Sequence, residues 1–180
     1  MRHLPDAMPL NAAPQAVAQR PEDASDYRKA LSCFATGVTV VTTRWQGSDW
    51  GMTCNSFASV SLEPRLVLWS IRKAANSLEA FTQAEGFSVS VLSAAQHNLA
   101  RQFASGAMAQ RFADVPVQRA RSERLRLSGA HAWFDCQRQQ LVDAGDHIVL
   151  IGEVHEFGWH DVPALGFWRS QLIDVPNPSS

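Results

Sequence analysis

Two cations and several small polar groups stand together at Ser70-Ile71-Arg72-Lys73-Ala74-Ala75-Asn76-Ser77, where a strand pattern gives way to a helix pattern. A helix start presents unpaired N–H groups and a positive dipole end, which together favour a phosphate. Arg72 adds a planar fork of donors and Lys73 a point charge. The same residues would also suit an ordinary loop with solvated charges. A second cluster, Gly51-Met52-Thr53-Cys54-Asn55-Ser56-Phe57-Ala58-Ser59-Val60-Ser61, crowds hydroxyl and small residues at a strand end. Backbone of this kind can approach a flat polar ring and offer N–H and C=O groups to its edge. Equally, Thr53, Asn55 and Ser56 can simply satisfy turn hydrogen bonds. Two smaller features complete the set. Gly145-Asp146-His147 is a turn followed by an imidazole, and Phe167-Trp168-Arg169 is an apolar run ending in a charge.

The elements that must position these residues are mostly strands. Residues 38–45 are packed with Val and Thr, a strong strand signal. Gln46-Gly47-Ser48-Asp49 turns the chain into a second strand over 50–57, and Glu63-Pro64 separates strands at 59–62 and 66–71. Alternation over 87–92 predicts another strand. Two long strands, 132–143 and 147–154, join at Ala144-Gly145-Asp146, and 164–169 offers a last one. Helices are short. One opens near Ser25 or Asp26 with Tyr27, Leu31 and Phe34 on one face, and Gly37 breaks it. Asn76 with Glu79 and Ser93 with Gln96 each form a capping-box pattern, the first helix ending at Gly86 and the second near Ala104. Many antiparallel strands with small helical insertions point to a mainly β barrel rather than a doubly wound sheet.

Composition narrows the partners. The 180 residues with 46% hydrophobic content suffice for one full core, and a net charge of −1 advertises neither nucleic acid nor a membrane surface. Arg119, Arg121, Arg124 and Arg126 form one dense basic stretch without interleaved aromatics, and read as a solvated loop rather than a phosphate grip. Three cysteines without C-x-x-C spacing argue against a disulfide framework and a cysteine zinc site. No G-x-G and no G-K-[ST] occurs, so any dinucleotide is bound by other means. Neither a secretory signal nor a transmembrane helix is expected, which places the protein in the cytoplasm. Residues 1–24 read as a loose arm, 25–174 as one domain and 175–180 as a tail.

Four blocks, in order, resemble the short-chain flavin reductase family, the reductase components of two-component flavin-dependent monooxygenases. They are Ala35-Thr36-Gly37-Val38-Thr39-Val40-Val41-Thr42-Thr43, Gly51-Met52-Thr53-Cys54-Asn55-Ser56-Phe57, Ser59-Val60-Ser61-Leu62-Glu63-Pro64 and Gly145-Asp146-His147. The resemblance runs from about Tyr27 to Gln171. It departs at Phe167-Trp168-Arg169, where relatives often carry a tyrosine and a glycine.

The resemblance implies an FMN-binding split β-barrel and a homodimer with FMN or FAD near the subunit interface. By position, Met52, Thr53, Cys54, Asn55, Ser56, Phe57, Ser59 and Val60 would meet the isoalloxazine and ribityl chain. Ser70, Arg72, Lys73 and Ser77 would hold the phosphate, and Phe103 and Ala104 would approach the flavin again. His147, the one catalytic candidate, and Arg169 would place NADH or NADPH. The implied activity is hydride transfer to the flavin, with reduced flavin passing to a separate oxygenase. The rival readings are a flavin-binding electron carrier without NAD(P)H turnover, and a split-barrel oxidase acting on a small substrate.

Overall fold

A computed structural model describes residues 24–178. The expected arm lies outside this range, apart from its last residue. In chain order the elements are α1 (Ala24–Ser32), β1 (Thr36–Gly37), β2 (Thr39–Trp45), β3 (Ser48–Cys54), β4 (Ala58–Leu62), β5 (Arg65–Arg72), α2 (Leu78–Gln83) and β6 (Gly86–Val91). A short 3-10 turn leads into α3 (His97–Ser105). Then come β7 (Val117–Arg119), β8 (Leu125–Leu127), β9 (Ala132–Ala144), β10 (His147–Trp159), β11 (Ala164–Trp168) and β12 (Gln171–Val175).

The main sheet is antiparallel, with seven strands in the order β3-β2-β6-β9-β10-β5-β4. Strand β2 is buried on both faces, which explains its unbroken Val and Thr run. Val41 joins a core with Trp69, Ile71, Phe81, Phe87 and Leu150. Val40, on the opposite face, joins Leu92, Ala100, Phe103 and Leu165. The buried threonines are satisfied, as burial demands. Thr39 donates to the Cys54 carbonyl at 2.9 Å, Thr43 to that of Gly86 at 2.7 Å, and Thr42 to that of Leu125.

The sheet's end strands, β3 and β4, do not pair with each other. Instead Ser56, just beyond β3, reaches to β5. Its Oγ accepts from the Ser70 N–H at 2.9 Å and donates to the Ser70 carbonyl at 3.3 Å. This clasp spans the gap between the two halves of the sheet. A second, three-stranded sheet, β1-β11-β12, covers the Val40 face together with α3.

Several expectations are corrected. The first hairpin turns on Gln46 and Gly47 alone, both with positive φ, so Ser48 and Asp49 already belong to β3. Helix α1 stops at Ser32, and Tyr27, Leu31 and Phe34 stay exposed. Ser77, not Asn76, takes the N-cap of α2 and makes no side-chain cap bond; Gly86 opens β6 rather than ending a helix. At the next helical start Ser93 and Gln96 do form the capping box. Strand β12 has no counterpart in the sequence expectation. The arginine stretch is not simply solvated. Arg124 is buried and forks onto Asp135 at 2.9 and 3.2 Å, Arg119 pairs with Asp49, and Arg121 pairs with Glu156.

Candidate functional site

Three adjoining hollows meet at Thr53, the penultimate residue of β3. One, of about 280 Å³, is lined by Met52–Ser56 together with Ser70, Arg72, Ala75 and His147. The second, of about 300 Å³, runs along Met52, Thr53, Ala74–Ser77, Phe103, Ala104, Met108 and Arg111. The third, of about 290 Å³, lies between α3 and the β11–β12 hairpin, against Val38, Cys54, Asn55, Ala100, Arg101, Ala104, Phe167 and Leu172. Together they form one groove whose floor is the end of β3.

Each wall is held by identifiable bonds. Thr53 donates to the Ala100 carbonyl at 2.7 Å, tying the floor to α3. Behind Gly51 the rings of Phe103 and Phe112 pack edge to face at 5.1 Å, and a Cβ at Gly51 would come within 2.7 Å of Phe103. The 72–77 loop is folded by Ala75 N–H on the Arg72 carbonyl at 3.0 Å and by Lys73 N–H on the Asp146 carbonyl at 2.9 Å. The second of these bonds brings the β9–β10 turn against the loop. In the register of β5 and β10, His147 stands opposite Arg72. The His147 Nδ1 lies 2.7 Å from Asp146 Oδ1, and this hydrogen bond holds the Asp146 carboxyl below the usual carboxylate range.

Met52, Thr53, Cys54, Asn55, Ser56, Ser70, Arg72, Ser77, Phe103, Ala104 and His147 thus gather round one groove. Five other expected residues do not line it. Phe57 packs at 5.4 Å on Phe134, on the core side of the sheet. Ser59 and Val60 are exposed on the end strand β4, at a register shift. Lys73 turns its Nζ outward onto Asp143 at 2.8 Å. Arg169 is the first residue of the β11–β12 turn, stacked near Trp168 and bonded through its N–H to Ser32. Conversely, Arg111, Arg101 and Leu172 line the groove without a motif to announce them.

The chemistry open to this groove is that of binding and orientation. Burial raises the Cys54 thiol, so it stays protonated, with Thr39 Oγ1 at 3.1 Å. The hydroxyls of Thr53 and Ser56 are committed to backbone groups, and neither bonds an imidazole as a nucleophile would. Among the described residues no cluster of His, Cys, Asp and Glu could hold a metal ion. The side chains of Asn55 and Asn76 line the hollows without a hydrogen bond to other described residues, and Arg72 makes no close contact there beyond its charge acting on Asp146. Unpaired donors around an open, backbone-rich floor suit a ligand that is flat, polar at its edge and negatively charged.

Known proteins give the same picture. The flavin reductase like domain matches residues 31–175. The reductase component of the flavin-dependent trigonelline monooxygenase of Acinetobacter baylyi is 41% identical over 86% of this chain and 50% of its own. The FMN reductase (NADH) SmoA of Agrobacterium fabrum is 41% identical over 81% of this chain and 83% of its own. The chain therefore spans about half the length of the first of these relatives and most of the second. Among solved structures, the NADH:FAD oxidoreductase of Streptomyces globisporus in complex with NAD and FAD fragments superposes with a TM-score of 0.83. It is 34% identical, over 88% of this chain and 96% of its own. By the match over residues 31–175 and these likenesses, the chain belongs to the flavin reductase like family.

Proposed function

We propose that the protein is a flavin reductase that uses NADH or NADPH to reduce FMN or FAD and releases the reduced flavin to a separate oxygenase. The observation that carries this reading is the convergence of three hollows on Thr53, with unpaired polar side chains round a backbone floor. Bound flavin supplies the hydride acceptor, and the nicotinamide supplies the hydride. The chain's own residues bind and orient. Met52 to Ser56 offer backbone groups to the ring edge, and Phe103 and Ala104 close the α3 side. Ser77 from the second hollow and Arg72 from the first flank the phosphate, while His147 at the rim steadies the nicotinamide nucleotide. No side-chain nucleophile or general acid is called for.

Relatives named as reductase components or subunits of monooxygenases support the oxygenase partner, and the FMN reductases among them support the choice of substrates. Three free thiols fit a reducing compartment, and no helix among the described residues is long and apolar enough to cross a membrane. A homodimer in the cytoplasm is part of the same proposal.

The test is direct. The purified protein is mixed with FMN or FAD and with NADH or NADPH in air, and loss of the reduced-nicotinamide absorbance is followed. Turnover that needs added flavin supports the proposal. Tight flavin binding without turnover would favour an electron carrier. Reduction of the bound flavin by a small substrate, and not by NAD(P)H, would favour an oxidase.

A further inference from the structure

Lys73 pairs at the surface with Asp143 and Arg72 lines the neighbouring hollow, so a phosphate beside Ser77 calls for a cation in the second hollow itself. The structure has one in place. Arg111, in the irregular stretch after α3, faces Ala74–Ser77 across the second hollow. Its Nη1 donates to the Gly51 carbonyl at 2.7 Å and its Nε to the Gly106 carbonyl at 2.9 Å. Two of the guanidinium's five N–H groups are thereby used, leaving three for a ligand. No carboxylate among the described residues pairs with it, and burial alone pulls its pKa down from the usual arginine value. A fixed, partly buried and uncompensated cation in a hollow with the free amide of Asn76 is a site for an anion.

The segment carrying Arg111 is itself anchored. The Gln102 amide nitrogen on α3 lies within 3.3 Å of the carbonyls of Gln110, Arg111 and Ala113. The guanidinium thus sits at a set distance from the floor, next to Met52 and Thr53. Arg72, the other groove cation, belongs to the hollow at the opposite side of this floor, with His147.

We infer that Arg111 grips the phosphate of the bound flavin from the α3 side, in the role expected of Lys73. The inference rests on the flavin reductase reading. It makes Arg111 a binding residue whose effect depends on the ligand's phosphate, and that dependence separates it from a structural role on Gly51.

The experiment compares FMN with riboflavin, which lacks the phosphate, by quenching of flavin fluorescence. It uses the full-length protein, Arg111→Gln and Arg111→Lys, with melting temperatures taken alongside. Arg111→Gln should weaken FMN about tenfold or more and leave riboflavin within about twofold. Arg111→Lys should keep part of the FMN preference, because it keeps the charge and loses the fork. An equal loss of both flavins, or unchanged FMN affinity, overturns the role and leaves the flavin reading standing. If Arg111→Gln does not fold, Arg111→Lys decides alone, since a purely structural arginine would lose both flavins together. Failure of the unaltered protein to bind either flavin overturns the inference and the flavin reading at once.

Discussion

His147 follows directly on a two-residue turn, Gly145-Asp146, and its imidazole is steadied by Asp146 at 2.7 Å. That placement argues for a positioning group rather than a proton donor, because hydride transfer itself needs no general acid. His147→Ala should raise KM for the nicotinamide, or lower kcat/KM, while flavin affinity stays nearly unchanged. If the histidine merely pins the hairpin, melting temperature and flavin binding fall together; measuring all three on one mutant decides. The cysteines offer an independent check. Burial, and then the neighbouring Asp135, push the Cys136 thiol up to about 12, while Cys33 is exposed. In native protein at mild alkaline pH a thiol reagent should react with exposed Cys33 first, with half-buried Cys54 more slowly and with Cys136 only on denaturation. The unfolded thiol ionises near 9, so between 9 and about 12 the folded state holds a proton that the unfolded state has lost. Stability from this group is therefore complete below 9 and declines as pH rises. Cys136→Ala should show a shallower alkaline loss in denaturant melts than the unaltered protein.

Arg124 and Asp135 operate at the scale of elements, joining the residue before β8 to the first part of β9 through a buried bidentate pair. Asp135→Ala leaves a buried guanidinium unpaired and should cost about 3–5 kcal/mol in chemical denaturation; a loss under 1 kcal/mol would refute the pair's importance. The β11–β12 turn is a milder case. Arg169 and Ser170 both have positive φ, where residues with a Cβ are strained. Replacing them with Asn-Gly should raise stability by about 0.5–1 kcal/mol, read as a shift in the denaturation midpoint. That turn also shows where the sequence stops being legible. Gln46-Gly47 and Gly145-Asp146 contain the glycines that announce a hairpin, and β2 beside the first was readable from its Val and Thr content. Arg169-Ser170 carries no such mark, so β12 was invisible in the sequence. The floor of the groove was legible because Gly51–Phe57 sits in one continuous block. The contact of Lys73 with Asp143 could not be read from the sequence, because the two lie 70 residues apart. Arg111 was missed because its position depends on carbonyl bonds from Gln102 and to Gly51, which leave no periodic trace in the sequence.

At the scale of the whole molecule, one described chain leaves considerable apolar surface in water. Leu62 is 87% exposed, Phe34 77% and Trp159 73%, and the helix face of Tyr27 and Leu31 covers nothing in the described core. Single exposed apolar residues need no explanation, but here they gather on identifiable elements: α1, and the end strand β4 with Val60 and Leu62. An end strand with an open backbone edge and apolar side chains invites pairing unless another surface covers it. The groove points the same way. Ser59 and Val60, which the family resemblance brings to the flavin, stand on β4 away from the hollows of their own chain. Self-association is therefore expected to protect these surfaces, with an interface of about 1,200–2,000 Å² in total if it is stable. Sedimentation velocity should give a species of twice the 19.8 kDa chain mass, with flavin bound and NADH oxidised at protein concentrations where that species dominates. Leu62→Glu places a charge on the exposed end strand and should shift the distribution toward single chains if β4 is covered, with flavin affinity falling in parallel. Full flavin loading and full turnover in a species of single-chain mass would show that each groove is complete without a second copy.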